Sequence, residues 1–474
     1  MNPVFKTIAA VLPSACMAEV SVGLPNIVVF IADDAGLDFG CYGNSGIKTP
    51  RIDALAGEGL RFDQAFVTTP QCSPCRTSIL SGRYAHSIGT EDLHVPLPDG
   101  VPLVPSFLRE KGYYTGMMLK SHLGPHGSRQ FDWYDEGERL HTQGQWNDLV
   151  LANTRTFLDQ AGSRPFLLWV GFKDPHRPYD NPLNKAPEVH GPEQVKVPSY
   201  LADTPETRSE LALYYDAIHR MDGHIGLIVD ELKQRGLYEH TLIVFFSDNG
   251  MPFPRAKGTL YDSGIQTPMI MTFPGRIRPG TVCPHLVSTI DLAPTFLRLA
   301  GLEPPQNMMG VDLRPLFDEP TIPVRDEIFA ERNWHDTDAH MRCVRTSEYK
   351  LIFNGYPLAR FPITGDQWQS PSWDDLRARH RIGRLTDAQA GLFLFPRPQF
   401  ELYDIKQDPD EIHNLAGAPD YADRLEALYG QMQTWMVASD DYPPHKKRRM
   451  DLMDRETGFF FGIGEKRREY SEHY

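Results

Sequence analysis

The chain has 474 residues, of which 41% are hydrophobic and 23% charged, the balance of a folded globular protein. Its 48 basic and 62 acidic residues give a net charge of −14. This charge argues against a nucleic-acid-binding protein, because phosphate backbones require a basic surface. No apolar run is long enough to span a bilayer, so we expect no membrane segment. The length favours two domains.

The N-terminal residues 1–25 are predicted to form a leader. A single lysine precedes a mostly apolar stretch at residues 8–18, and small residues near its end would suit a signal peptidase. The positive region is short and Pro13 interrupts the apolar part, features that also fit a cytoplasmic leader. We favour export, to the periplasm or out of the cell, over a cytoplasmic location.

Apolar, β-rich runs predict strands at residues 26–32, 165–172, 241–246 and 268–273. Helical periodicity between residues 211 and 232 predicts a long helix that stops near Gly236. Strands that alternate with helices indicate an α/β domain with a large, mainly parallel central sheet flanked by helices.

Polar clusters follow three of these strands. Asp33 and Asp34 follow the first strand, residues 174–176 the second, and Asp248 with Asn249 the third. Ligands of parallel sheets bind beyond the carboxyl ends of the strands. We therefore expect the three clusters to meet at one rim of the sheet.

The pattern changes after about residue 324. Residues 342–353 and 400–405 are predicted to form short antiparallel strands, followed by a helix at 421–437. The sequence thus predicts a large domain over residues 26–338 and a smaller C-terminal α+β domain over residues 339–474, built on an antiparallel sheet.

The stretch from Cys72 to Gly82, CSPCRTSILSG, is the most informative motif. Taken alone, Cys72 and Cys75 could be a redox pair or half of a zinc site. A zinc site needs a second ligand pair, but Cys283 and Cys343 are single and distant. A thioredoxin-like pair would need a smaller domain with the motif near its start.

This stretch resembles the Cys-x-Pro-x-Arg signature of the type I, formylglycine-dependent sulfatases of the alkaline phosphatase superfamily, with Ser81 where threonine is usual. The resemblance implies an alkaline-phosphatase-like fold and a catalytic role for the large domain. It also implies that a formylglycine-generating or sulfatase-maturating enzyme oxidises Cys72 to an aldehyde. One hydroxyl of its hydrate would attack sulfur, and the other would later expel sulfate. Arg76 would neutralise the hydrate and the sulfate oxygens.

The same resemblance turns the polar clusters into metal ligands. Carboxylate and amide oxygens are hard donors that suit Ca²⁺, with Mg²⁺ as the alternative. An isolated Asp-Asp pair is more often a cap or a loop, but a second polar pair at another strand end favours the metal interpretation. The predicted ligands are Asp33, Asp34, the modified Cys72, Asp248 and Asn249.

Four further side chains complete the predicted site. Lys120 and His122 alternate along a segment that we expect to be extended, so both should face the same way. By resemblance, Lys120 contacts sulfate and His122 assists collapse of the hydrate. His176 would protonate the leaving group, and Lys257 would be the last sulfate-binding cation. His86 is interpreted as structural.

The resemblance covers residues 26–435 and is strongest to the heparan N-sulfatases, notably at residues 361–363 and 370–376. Those enzymes carry arginine where Lys257 stands, whereas most O-sulfatases carry lysine. The predicted substrate is a sulfated saccharide, with N-sulfoglucosamine favoured, and Arg177 and residues 332–336 are expected near the sugar. An O-sulfatase, a phosphonate or phosphodiester hydrolase of the superfamily, and a non-catalytic sulfoglycan-binding protein are the alternatives.

Overall fold

The computed structural model describes residues 23–135, 146–179 and 188–441, with residues 443, 444, 446 and 451. Residues 1–22 of the predicted leader lie outside this description. The strands are β1 (Asn26–Ala32), β2 (Leu60–Phe66), β3 (Tyr114–Leu119), β4 (Trp133–Asp135), β5 (Phe166–Gly171), β6 (Thr241–Ser247), β7 (Met269–Thr272), β8 (Thr281–Ser288), β9 (Glu327–His335), β10 (Thr337–Thr346), β11 (Tyr349–Asn354) and β12 (Phe400–Asp404).

The α-helices are α1 (Pro50–Glu58), α2 (Cys72–Ser81), α3 (Val104–Glu110), α4 (Gly124–Ser128), α5 (Trp146–Ala161), α6 (Pro205–Gln234), α7 (Asp262–Ile265), α8 (Leu292–Leu299), α9 (Pro315–Asp318), α10 (Gly365–Trp368), α11 (Pro371–Arg381), α12 (Asp387–Ala390) and α13 (Ala422–Ala438). Within the described residues, no helix is both long enough and apolar enough to traverse a membrane.

The larger sheet has the strand order β4-β3-β5-β1-β6-β7-β2-β8. Neighbouring strands are parallel except at β7, which is antiparallel to β6 and β2. Every residue of β1 is buried, which explains why its sequence is continuously apolar. The predicted α/β fold with a large, mainly parallel sheet is confirmed.

The predicted long helix is α6, which is longer than its apolar periodicity indicated. It begins after Thr204, whose side chain accepts a hydrogen bond from the backbone N–H of Thr207. It ends just before Gly236, whose φ of 67° requires the left-handed conformation that glycine adopts readily. The stop predicted at this glycine is confirmed.

The smaller sheet has the order β12-β11-β10-β9, and all its neighbouring strands are antiparallel. Leu428, Met432 and Trp435 of α13 are buried in one cluster with residues of β10, β11 and β12. The predicted antiparallel C-terminal unit is confirmed. Its first strand, β9, begins at Glu327, ahead of the domain boundary placed at residue 338, and that division of the chain stays a prediction.

Candidate active site

Three polar loops meet at the carboxyl end of β1. This strand pairs with β5 on one side and with β6 on the other, so the loops after all three strands share one rim. The backbone N–H of Asp33 donates to the carbonyl of Asp174 at 3.0 Å, and the N–H of Asp248 donates to Ala32 at 3.2 Å. The structure thus confirms the expectation, drawn from the strand ends, that the three loops meet.

Cys72 is the first residue of α2, and all ten residues of that helix are buried. Its Sγ lies 3.4 Å from Oδ1 of Asp33. Burial, and then the Asp33 carboxylate, raise the pKa of the thiol well above its usual value. Cys72 is therefore held as a neutral thiol, unlike the low-pKa thiolate of a redox pair or a cysteine nucleophile. Cys75 is also buried as a free thiol.

Arg76 lies one turn along α2 and is fully buried. Its Nε donates to Oδ2 of Asp248 at 2.9 Å, and its Nη1 donates to the carbonyl of Lys120 at 3.0 Å. Gly171, at the end of β5, makes this approach possible. A Cβ at that position would lie 2.0 Å from the Lys120 carbonyl oxygen and 2.7 Å from Nη1 of Arg76.

Three carboxylates and three cations form the centre of the site, each carboxylate with a different cation. The carboxylates lie close together, because one oxygen from each falls within 4.8 Å of the others. The pairs are Lys120 with Asp33, Lys257 with Asp34, and Arg76 with Asp248. The distance from Nζ of Lys257 to Oδ2 of Asp34 is 2.7 Å, and that from Nη2 of Arg76 to Oδ2 of Asp248 is 2.9 Å.

Crowding shifts the titration of these carboxylates in opposite directions. Burial, together with the neighbouring Asp33 charge, raises the pKa of Asp248 to about 7. Burial would also raise the pKa of Asp33, but the ammonium of Lys120 holds it well below its usual range. Like charges this close favour a bound cation.

The donor set fits a hard divalent cation. Asn249 donates through Nδ2 to Oδ1 of Asp34 at 2.8 Å and to the Gly250 carbonyl at 2.9 Å. Its Oδ1 is buried and has no hydrogen-bond partner among the described residues. A buried amide oxygen beside three carboxylates is suited to ligating calcium or magnesium.

Lys120 and His122 do lie in the site, but the prediction that they alternate along an extended segment is wrong. β3 ends at Leu119, whose φ is 68°, and His122 has a φ of 57°, so the segment is not extended. Burial, and then the charge of Lys120, lower the pKa of His122 well below its usual value. Its Nδ1 is buried without a partner among the described residues, and its ring stands edge-on to His94.

His176 presents Nε2 to the site. Its Nδ1 lies 2.5 Å from the backbone carbonyl of Arg177, so Nδ1 must carry the hydrogen. Its Nε2 then lies 3.8 Å from Oδ2 of Asp34. Burial, and then Lys257, lower the pKa of this histidine. The lowered pKa favours the neutral ring, whose Nε2 faces the carboxylates.

Comparison with known proteins decides the family. The sulfatase family model matches residues 25–302, more than half of the chain. The model for the C-terminal part of N-sulphoglucosamine sulphohydrolase matches residues 255–362. The chain belongs to the sulfatase family. The predicted membership and the predicted class of enzyme, a sulfuric ester or sulfamide hydrolase, are thereby confirmed. Sulfatases generally use a metal ion and a formylglycine, and the acidic cluster of this sulfatase can hold such an ion.

Similar proteins extend over most of this sulfatase. Human N-sulphoglucosamine sulphohydrolase is 32% identical, covering 91% of this chain and 94% of the relative. An ulvan-active sulfatase of Formosa agariphila is 28% identical over 88% of this chain and 75% of the relative. Human arylsulfatase A is 29% identical over 85% of this chain and 87% of the relative.

Solved structures share the fold. A protein in complex with its substrate D-glucosamine-2-N,6-O-disulfate superposes with a TM-score of 0.69 at 21% identity, covering 90% of this chain and 100% of that one. Phosphonate monoester hydrolase of Agrobacterium radiobacter superposes with a TM-score of 0.68 at 18% identity, covering 88% and 96%. The alkaline-phosphatase-like architecture of this sulfatase is confirmed.

The structure adds Asp366, which the sequence analysis missed. Its Oδ2 lies 3.1 Å from Nζ of Lys257, and its Oδ1 accepts from the hydroxyl of Thr364 at 2.5 Å. A donor atom from each of Asp34, His176 and Asp366 falls within one 4.8 Å group. The available clue was position alone, since Asp366 lies between the two stretches that resemble the heparan N-sulfatases.

Two residues expected near the sugar are more enclosed than predicted. Arg177 is buried, donates through Nε to the Pro252 carbonyl at 2.9 Å and is ion-paired with Glu210. Arg332 is fully buried, and its guanidinium donates to backbone carbonyls, among them that of Gly258, next to Lys257. Arg332 holds the Lys257 loop in place instead of lining an open pocket.

Proposed function

We propose that this sulfatase removes the N-sulfate group from glucosamine residues of heparan- or heparin-type saccharides, using a formylglycine at position 72 and Ca²⁺. The observation that carries the proposal is the placement of Cys72. It begins a buried helix and faces an acidic, metal-competent cluster surrounded by three cations. Mg²⁺ is the alternative ion.

The sulfate would bind where positive charge converges. Arg76, Lys120 and Lys257 supply three cations, and the N-terminus of α2 adds its dipole at the same point. A formylglycine at position 72 would supply a hydrated aldehyde, of which one hydroxyl would attack sulfur as the amine leaves and the other would expel sulfate as the aldehyde re-forms. Asp33, Asp34, Asp248, Asn249 and residue 72 would hold a calcium ion, which would supply a Lewis acid to polarise the sulfate.

The two histidines are proposed to move protons on opposite sides of the reaction. His176 faces the centre through Nε2, and the negative charge of a bound sulfate beside Lys257 favours the imidazolium that can donate from this atom. We assign it the protonation of the leaving nitrogen. His122, neutral and buried next to Lys120, is assigned the removal of a proton when the sulfated hydrate collapses.

The choice of an N-sulfate rests on the relatives. The human relative named for N-sulphoglucosamine is similar over almost its whole length, and the family model with that name matches residues 255–362. Lys257 favours the opposite choice, because the heparan N-sulfatases carry arginine there. We give this single replacement of arginine by lysine less weight than the similarity along 91% of the chain.

The test is a competition between N-sulfoglucosamine and glucosamine 6-O-sulfate at equal concentration. We expect sulfate to be released from the N-sulfated sugar first, and the sugar products, separated by chromatography, distinguish the two reactions. Release from the O-sulfated sugar alone would overturn the substrate assignment and leave the sulfatase mechanism intact.

We also propose that a formylglycine-generating or sulfatase-maturating enzyme is the obligatory protein partner, and that the chain is exported. Production with and without such an enzyme should change the activity per molecule and the mass of the peptide that contains residue 72. N-terminal sequencing of the protein recovered from its native host would show whether the leader is removed.

A further inference from the structure

His176 belongs to two groups of donor atoms. In one it lies within 4.8 Å of Asp33 and the Cys72 thiol, and in the other it lies within the same distance of Asp34 and Asp366. His176 is thus adjacent both to the position of the nucleophile and to the Asp366 carboxylate. In a displacement at sulfur, the leaving atom lies opposite the nucleophile. With His176 as its proton donor, that atom would lie next to His176 and so near the Asp366 carboxylate.

We propose that Asp366 is a specificity-determining residue, whose carboxylate accepts a hydrogen bond from the N–H of a sulfamate and so selects N-sulfated over O-sulfated sugars. The inference rests on the proposed function and deepens it. It names the side chain that distinguishes the two kinds of sulfate group.

The chemical basis is the hydrogen on the leaving atom. The bridging nitrogen of a sulfamate carries one hydrogen, whereas the bridging oxygen of a sulfate ester carries none and presents only lone pairs. A carboxylate near this atom accepts a charge-assisted hydrogen bond from the nitrogen and repels the ester oxygen. Sites that pair with a substrate N–H discriminate strongly against analogues that lack it.

Asp366 is held in position to make this contact. The side chain of Thr364 caps the short helix α10, and the Gln367 side chain reaches back to the Thr364 N–H. Nε2 of Gln367 also donates to the carbonyls of Phe253, at 3.0 Å, and Lys257, at 3.1 Å. This fixes the loop against the Lys257 segment, and the Asp366 side chain remains 18% exposed.

Binding of sulfate to Lys257 would free Oδ2 of Asp366 to accept a hydrogen bond from the substrate. Without substrate, Oδ2 of Asp366 shares the ammonium of Lys257 with Asp34. A sulfate that binds Lys257 becomes a competing acceptor for that ammonium. Oδ2 of Asp366 can then turn to the N–H attached to the same sulfur.

The experiment compares two substrates that differ only in the leaving atom, 4-nitrophenyl sulfate and N-(4-nitrophenyl)sulfamate, with N-sulfoglucosamine as the sugar substrate. The variants are Asp366→Asn and Asp366→Ala, made in the matured, metal-loaded enzyme. Asp374→Asn is the matched control, because Asp374 is 62% exposed on α11 and paired only with Arg377 among the described residues.

We expect Asp366→Ala to lower the ratio of kcat/KM for sulfamate over sulfate ester by about 10- to 100-fold, the worth of a hydrogen bond to a charged group. Asp366→Asn, which keeps an acceptor oxygen, should lower it less, and Asp374→Asn should not change it. Effects transmitted through Lys257 act on the sulfate group of both substrates and cancel in the ratio. An unchanged ratio would overturn the inference.

Product inhibition gives a second readout. Asp366→Ala should raise the inhibition constant of glucosamine, whose amine occupies the leaving position, more than that of inorganic sulfate. A rise for sulfate alone would reduce Asp366 to a support for Lys257 and overturn the inference. A wild-type enzyme that cleaves only sulfate esters would instead refute the proposed N-sulfatase function, which keeps the two failures distinguishable.

Discussion

Two of the buried clusters of opposite charges among the described residues can be compared, and only one of these two has the features of an active site. The active-site cluster comprises Asp33, Asp34 and Asp248 with Arg76, Lys120 and Lys257. The sheet cluster comprises Asp262, Arg345, Lys350 and Glu411, beside the smaller sheet. In the sheet cluster, Lys350 is ion-paired with both acids and Arg345 lies 3.2 Å from Asp262.

Perturbed titration does not separate the two clusters. Burial raises the pKa of Glu411 to about 7, the same value that burial and Asp33 give Asp248. The difference lies in the donor atoms. In the active-site cluster, oxygens of three carboxylates converge within 4.8 Å of one another beside the buried amide of Asn249, whereas in the sheet cluster only two carboxylates are present and both are paired with Lys350. The convergence of three carboxylates, more than shifted pKa values, marks the site.

The largest expected effect comes from the thiol beside the active-site cluster. Cys72→Ala should lower turnover by at least about 10⁴-fold, because loss of a nucleophile removes the chemical step. Sulfate release and the mass of the peptide containing residue 72 are the measurements. Cys41→Ser, at a half-buried thiol elsewhere, is the control and should leave turnover unchanged. Full activity with an unmodified cysteine at position 72 would contradict the mechanism.

The next effect tests which cluster holds the metal. Asp248→Asn should lower kcat/KM by at least about 100-fold, since disturbing a metal site typically costs this much or more. Chelation should inhibit the wild type, and added calcium or magnesium should restore it. Glu411→Gln, the matched change in the sheet cluster, should leave the metal concentration for half-maximal activity unaltered. A shift of that concentration in Glu411→Gln would remove the distinction drawn between the clusters.

The smallest effect on turnover is expected in the sheet cluster. Lys350→Met should lower the free energy of unfolding by about 3–5 kcal/mol, because it leaves the Asp262 and Glu411 carboxylates buried without their shared cation. Activity per folded molecule should change little. Chemical denaturation followed by fluorescence measures the stability, and a rate assay on the folded fraction measures the activity. Unchanged stability would show that the cluster contributes little to folding.

The local sequence was sufficient to predict features that belong to a single strand or helix. The apolar run of β1 and the helix around residues 211–232 could be predicted in this way. The strand ends also predicted that Asp33 and Asp248 would meet, because parallel neighbours share a rim.

Features that depend on tertiary contacts were not readable. The antiparallel direction of β7 is set by its pairing with β2 and β6, and its apolar sequence is the same in either direction. The positive φ values at Leu119 and His122 arise where the chain leaves the sheet. Asp366 belongs to the site only because α10 is hydrogen-bonded to the Lys257 segment, more than a hundred residues earlier.

The pairing of cations with carboxylates couples the binding of the metal to the binding of the substrate. An ion that takes over the three carboxylates would leave Arg76 and Lys120 without counterions and Lys257 with Asp366 alone, and a sulfate group would then supply the missing negative charge. Each ligand prepares the site for the other. By thermodynamic reciprocity, sulfate raises the affinity for the ion by the same factor by which the ion raises the affinity for sulfate. The charge pattern of this rim thus predicts positive cooperativity between the metal ion and the substrate.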